Sequence, residues 1–275
     1  MSSMHWQENL AERYRRFQYE FAERALAGRT IVVAGGTGGL GAATVALLAR
    51  EGARLVVGYR ANRARAEALA RAMNEQFATQ LTLIAGDIAE EATRAAFSRA
   101  VEQASSPLYG AVIFPGDPAR VSFDALNREA LEASQHANFT GPVLLARDLG
   151  QVMEQVRTGG SLVLLGTMQA VAAFPSSLNY AAPKAALVHA ARVLAMQWET
   201  VRVNVVAPGA TVTGMAEASV RSGKYDSYVA GKVIPRFGRP EDVARAVRFF
   251  LEPDNYVTGQ VLVVDGGLTL RRNHG

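Results

Sequence analysis

The sequence predicts a parallel α/β sheet with helices on both faces, and three observations predict it. Seven short apolar runs rich in Val, Ile and Leu are spread over residues 30–267. Stretches of helical period separate them. The first run ends in a cluster of glycines that opens directly into such a stretch. Strands covered on both faces read as continuous apolar runs, and regular strand–helix alternation implies a parallel sheet.

Residues 1–28 come first and stand apart. Trp6, Leu10, Tyr14, Phe17 and Phe21 recur at intervals of four, four, three and four, which is one face of an α-helix. Glu8, Glu12, Arg13, Arg16, Glu20 and Glu23 occupy other positions. Acids this frequent and the lack of an uninterrupted apolar core exclude a targeting peptide. Two readings stay open: a helix packed on its own domain, and an aromatic stripe that grips a second subunit.

After Gly28 the predicted strands are "TIVVAG" (30–35), "RLVVGY" (54–59), "LTLIAGD" (81–87), "YGAVIF" (109–114), "SLVLLG" (161–166), "VRVNVVAPG" (201–209) and "QVLVVDGG" (260–267). Helices are predicted over 39–50, 63–77, 90–104, 124–156, 178–199 and 240–251. No Pro/Ser/Gly-rich linker divides this region. The expectation is one domain over 29–275 behind an extension over 1–28.

Composition narrows the function. The 29 Lys and Arg nearly balance the 25 Asp and Glu, giving a net charge of +4. The arginines are scattered, so no basic track for a nucleic acid is expected. No apolar run is long enough to span a membrane. There is no cysteine, which excludes a disulfide scaffold, a thiolate nucleophile and a Cys-ligated metal. A reduced, cytoplasmic setting fits. The four histidines show no metal-ligand spacing, so no metal is expected.

The glycine cluster carries the first chemistry. Gly35, Gly39 and Gly41 follow a strand and open a helix. Glycine lets the backbone turn sharply and approach a pyrophosphate, and the helix N-terminus supplies free N–H groups. A NAD site of this kind usually has an acid at the end of the second strand. Here Tyr59 and Arg60 stand there, with Arg63 and Arg65 following. A guanidinium suits a 2′-phosphate, so NADP(H) is favoured over NAD(H). In "LNYAAPKAAL" (178–187), Tyr180 and Lys184 are four apart on a predicted helix and share a face.

Together these residues resemble the short-chain dehydrogenase/reductase family, and within it the 3-oxoacyl-[acyl-carrier-protein] reductases. The resemblance covers residues 29–270. It rests on "GGTGGLG" (35–41), "GDI" (86–88), "NFTG" (138–141), "GSLVLLGT" (160–167), "YAAPK" (180–184), "RVNVVAPGATVTGM" (202–215), "RFGRPEDVARAVRFFL" (236–251) and "TGQVLVVDGG" (258–267). It implies a Rossmann-type, doubly wound sheet of about seven strands. By resemblance, Gly35, Thr37, Gly39, Leu40, Gly41 and Gly116 would hold the cofactor, with Arg60 on its phosphate. Asp87 and Ile88 would line the adenine. Pro208, Gly209, Thr211 and Thr213 would hold the nicotinamide carboxamide and a phosphate. Tyr180 would be the catalytic acid. Lys184 would bind the nicotinamide ribose and lower the Tyr180 pKa. Asn138 would anchor a water in a proton relay, and Thr167, where serine is usual, would polarise the substrate carbonyl.

The implied reaction is NADPH-dependent reduction of a ketone, with a 3-oxoacyl thioester on acyl carrier protein or coenzyme A as substrate, as in fatty acid biosynthesis. Arg128 is one candidate for docking an acidic carrier. Residues 214–235 are expected to cover the substrate. A homo-oligomer, dimer or tetramer, is implied. Two alternatives remain: oxidation of a secondary alcohol at the same site, and a weakly active cofactor-binding subunit that partners a true reductase. The second is motivated by departures from the family pattern. Thr167 adds a methyl, "IFPG" (113–116) replaces N-N-A-G, and the aromatic helix over 1–28 is added. A further departure bears on the cofactor: Gly38 stands where many NADPH-dependent relatives have an arginine, which leaves Arg60 to discriminate alone. Phe114 is expected either to press on the cofactor edge or to fill core.

Overall fold

The computed structural model describes residues 14–16, 23–117, 119–157, 159–175, 177–213, 221–223 and 226–271. Most of the predicted N-terminal helix, including Trp6, Leu10, Phe17 and Phe21, lies outside them. Tyr14 is described and is exposed.

All seven predicted strands form: β1 (Thr30–Ala34), β2 (Arg54–Tyr59), β3 (Leu81–Ala85), β4 (Leu108–Ile113), β5 (Gly160–Leu165), β6 (Val201–Pro208) and β7 (Val261–Val264). They make one parallel sheet in the order β3-β2-β1-β4-β5-β6-β7. Among the described residues the named helices are α1 (Gly39–Arg50), α2 (Arg63–Phe77), α3 (Glu91–Glu102), α4 (Arg128–Gln135), α5 (Gly141–Val156), α6 (Leu178–Leu194), α7 (Asp226–Ala230), α8 (Pro240–Leu251) and α9 (Leu268–Arg271).

Successive strand residues point to opposite faces, and both faces are covered. Ile31 and Val33 pack with Val45 and Leu48 of α1, Met73 of α2, and Val247 and Phe250 of α8. Val32 and Ala34 pack with Phe97 of α3, Leu145 and Leu149 of α5, and Leu187 of α6. The continuous apolar runs are therefore needed, because β1, β4 and β5 have no solvent face. Side chains start several helices. Asn62 accepts the Arg65 N–H at 2.9 Å, and Asn127 accepts the Ala130 N–H at 2.9 Å. Asp242 accepts the Arg239 N–H at 2.8 Å, and its bond from Arg236 at 2.6 Å holds its carboxyl well below the usual range.

One predicted element is corrected. The continuous helix over 124–156 is instead a 3₁₀ turn at Phe123–Ala125, then α4, a π-helical turn at His136–Thr140, and α5. Asn127 restarts the chain as a helix by capping. Pro142 has no N–H to give the Asn138 carbonyl, and Gly141 instead bonds back to His136. Two other helices are shorter at their ends than predicted: α3 begins at Glu91, and α6 stops at Leu194.

Strand order reverses between β1 and β4. In such sheets a crevice opens at the carboxyl ends of the strands where the order reverses, and ligands bind there. The glycine loop leaves β1 and the "IFPG" turn leaves β4 at that point, with Ala34 paired to Ile113.

Candidate active site

A cavity of about 680 Å³ occupies this crevice. Its walls include Gly35, Thr37, Gly39, Leu40 and Gly41 from the loop after β1, and Arg60 after β2. Asp87 and Ile88 come from the turn after β3, and Gly116 from the turn after β4. Thr167, Tyr180, Pro208, Gly209, Thr211 and Thr213 complete the predicted set. Two predicted residues do not line it. Asn138 and Lys184 are buried one layer behind, against Gly116. A Cβ on Gly116 would stand 2.7 Å from Asn138 Oδ1 and 3.0 Å from Lys184 Nζ.

The glycine loop suits an extended phosphate. Gly35 has φ of +72°, a region side chains avoid. A Cβ on Gly41 would lie 2.3 Å from the Gly35 carbonyl oxygen. Helix α1 has no side-chain cap at Gly38, so its first N–H groups stay available to an anion. The "IFPG" turn closes against this loop, with Phe114 and Pro115 atoms 3.2 Å from a Cβ on Gly35. Phe114 both joins the core and lines the cavity.

The structure sorts the three arginines after β2. Arg63 pairs with Glu67 at 2.8 Å. Arg60 and Arg65 face the cavity, so Arg60 does not stand alone. These groups fit NAD(P)(H): a glycine cradle for the pyrophosphate, an uncapped helix end and cations where the second ribose would lie.

At the other end, Tyr180 is 8 % exposed. Burial pushes its phenol up, while hydrogen bonding to Thr167 and the positive charge of Arg120 pull it down. The Arg120 guanidinium lies 4.9 Å from the centre of the Tyr180 ring. Lys184 is 2 % exposed and donates to the Leu165 carbonyl at 2.8 Å. Burial lowers its amine to about 7. Here, then, the groups that favour the Tyr180 phenolate are Thr167 and Arg120, whereas the sequence reading gave that part to Lys184. Asn138 accepts the Asp117 N–H at 3.1 Å and donates to the Asp117 carbonyl at 2.8 Å and to Ser134 Oγ at 3.0 Å.

The Lys184 amine has a consequence for stability. Below about pH 7 it is protonated folded and unfolded, and the full cost of burying the charge is borne. Between about 7 and its ordinary 10.5 only the unfolded chain holds the proton, so stability rises with pH. Cofactor-free wild type should gain up to about 1.4 kcal/mol per pH unit relative to Lys184→Met across this window. Denaturant melts of both proteins from pH 6 to 9 measure it; a flat difference would contradict it.

Comparison with known proteins agrees with this geometry. A family model described as enoyl-(acyl carrier protein) reductase matches residues 34–269. A carbonyl reductase family member 4 from Danio rerio is 33 % identical over 248 residues, covering 88 % of this chain and 98 % of its own length. The chain belongs to the short-chain dehydrogenase/reductase family. The 3-oxoacyl-[acyl-carrier-protein] reductase FabG of Aggregatibacter actinomycetemcomitans is 31 % identical over 244 residues, covering 87 % of this chain and 98 % of its own. A solved short-chain dehydrogenase/reductase from Mycobacterium ulcerans superposes with a TM-score of 0.84 at 27 % identity, over 89 % of this chain and 91 % of that one. As a short-chain dehydrogenase/reductase, the protein is an NAD(P)(H)-dependent oxidoreductase acting on CH–OH/C=O groups.

Sequence reasoning missed Arg120, Gln169, Asp117 and His136, which also line the cavity. Only their nearness in sequence to Gly116, Thr167 and Asn138 hinted at them. Of the segment expected to cover the substrate, 214–220 and 224–225 lie outside the described residues. Its later part packs Tyr228, Val229, Val233 and Ile234 around Met168, next to Thr167.

Proposed function

We propose that this oxidoreductase reduces a ketone to a secondary alcohol with NADPH, and that a 3-oxoacyl thioester on acyl carrier protein or coenzyme A is a substrate. The observation that carries the reading is the pairing of Tyr180 with Thr167 at one end of a cavity whose other end holds the glycine loop, Arg60 and Arg65. The thioester is supported by likeness to the FabG relative.

When bound, NADPH supplies the hydride. The residues do the rest. Thr167 and Tyr180 hold the ketone oxygen between their hydroxyls, and Tyr180 gives that oxygen its proton. A buried phenol is a poor anion, so its proton must be replaced promptly. The buried amine of Lys184, lowered to about 7, exchanges protons readily near neutrality. The Asn138 carbonyl, freed by Pro142, holds a water that links the relay to solvent. The homo-oligomer remains part of this reading. Phe249, Leu262 and Leu270 are exposed beside buried Phe250, Leu251 and Leu268, which supports assembly through α8, β7 and α9.

The test uses purified protein and acetoacetyl-CoA with each nicotinamide cofactor. NADPH should support turnover with clearly higher kcat/KM than NADH. Arg60→Ala should lower the NADPH value about tenfold and leave the NADH value nearly unchanged, the loss of a charge-assisted contact in a partly solvated place. A preference for NADH in the wild type would contradict the phosphate role of Arg60.

A further inference from the structure

The substrate end of the cavity is lined by an exposed arginine, Arg120. Among the described residues Arg120 makes no ion pair, although its side chain lines the cavity and lies over the Tyr180 ring. The acid nearest in sequence, Asp117, is turned into its own loop, where Oδ1 accepts the Ala119 N–H at 2.8 Å. A guanidinium over an aromatic ring is a weaker contact than one paired with an oxyanion. Its present partner is one that an anion would displace.

The backbone beneath Arg120 is pinned on both sides. Asn138 clasps the N–H and carbonyl of Asp117. Asn179, 2 % exposed and next to Tyr180, donates to the Ala119 carbonyl at 2.8 Å and accepts the Val121 N–H at 3.4 Å. Two buried amides thus tie this loop to the helical segments that carry the site. The Arg120 side chain is itself exposed, so an anion reaches it from solvent, while the pinned backbone fixes where that charge is anchored. Gln169 lines the same cavity, and its amide oxygen is buried without a partner among the described residues. Turned over, that amide donates to an oxyanion.

We propose that the site also reduces free oxo acids, with Arg120 binding a carboxylate a few bonds from the ketone and Gln169 as a second donor. Asn179 is a positioning residue for Arg120. The reaction balances as above: hydride from NADPH goes to the ketone carbon and a proton to its oxygen, while the carboxylate is unchanged. This rests on the ketone-reductase reading and adds a substrate class to it.

The test compares acetoacetate, ethyl acetoacetate and acetoacetyl-CoA with NADPH. The readout is the ratio of kcat/KM for the acid to that for its neutral ester. Any general effect of Arg120 on Tyr180 cancels in that ratio. Wild type should favour the acid at least tenfold. Arg120→Gln should bring the ratio close to one, mainly through KM for the acid, and Arg120→Lys should restore most of it. A wild-type ratio of one or less, or the same ratio in Arg120→Gln, overturns the proposal while turnover of ester or thioester leaves ketone reduction standing. No turnover of any of the three overturns both.

Discussion

Tyr180→Phe should leave the fold and NADPH binding in place and lower kcat by about 10²- to 10⁴-fold, the range a positioned general acid contributes. Phe preserves the ring, the part that lies under the Arg120 guanidinium. Only the hydroxyl and its bond to Thr167 are lost. KM should change little, because Thr167 still donates to the ketone oxygen. Steady-state kinetics beside a fluorescence titration with NADPH separate the two quantities. A folded Tyr180→Phe protein within tenfold of wild type would remove Tyr180 from the reaction. Thr167→Ser is the companion variant. It keeps the hydroxyl and removes one methyl, so a modest gain in the range of accepted ketones is expected.

The second large effect concerns the cofactor. Gly41→Ala should weaken NADPH binding about 10- to 100-fold and lower the melting temperature, since forcing atoms into a packed place costs about 1–3 kcal/mol. The new Cβ would stand 2.3 Å from the Gly35 oxygen and 2.8 Å from the Gly36 Cα. Both are backbone atoms, so no side chain can swing away. The turn must open, and the N-terminus of α1 must withdraw from the cavity. Gly38→Ala is the control, because a Cβ there meets only the Gly35 oxygen at 3.5 Å. Equal NADPH affinity in wild type and Gly41→Ala would show that the loop's close approach does not matter.

Much of the site was readable because its parts are local. A strand, a glycine turn and a helix follow one another within residues 30–50, and each leaves its own pattern of residue types. The spacing of Tyr180 and Lys184 needs only the pitch of one helix. The sequence pattern places Asn138 in an unbroken helix, whereas the structure surrounds it with a π-helical turn. The cause was in the sequence all the same. Pro142 stands four residues after Asn138 and cannot bond to its carbonyl. Arg60 stands out by its place at the end of β2, but Arg63 and Arg65 after it are indistinguishable in the sequence. Which of them reaches the cavity depends on how α2 is rotated about its axis and on Glu67 capturing Arg63.

What the sequence determined by itself was the order of strands and helices, the covered sheet, the glycine cradle and the Tyr–Lys pair. These follow from side-chain period and from backbone freedom, which act over a few residues. Tertiary structure decided the rest. It set Lys184 behind the cavity wall, where burial rather than any charged partner governs its amine. It brought Arg120, sixty positions before Tyr180, over the Tyr180 ring and pinned its loop with Asn138 and Asn179. Electrostatics at a site depend on distance through space and on the exclusion of water. Neither quantity is written in the local pattern of a chain.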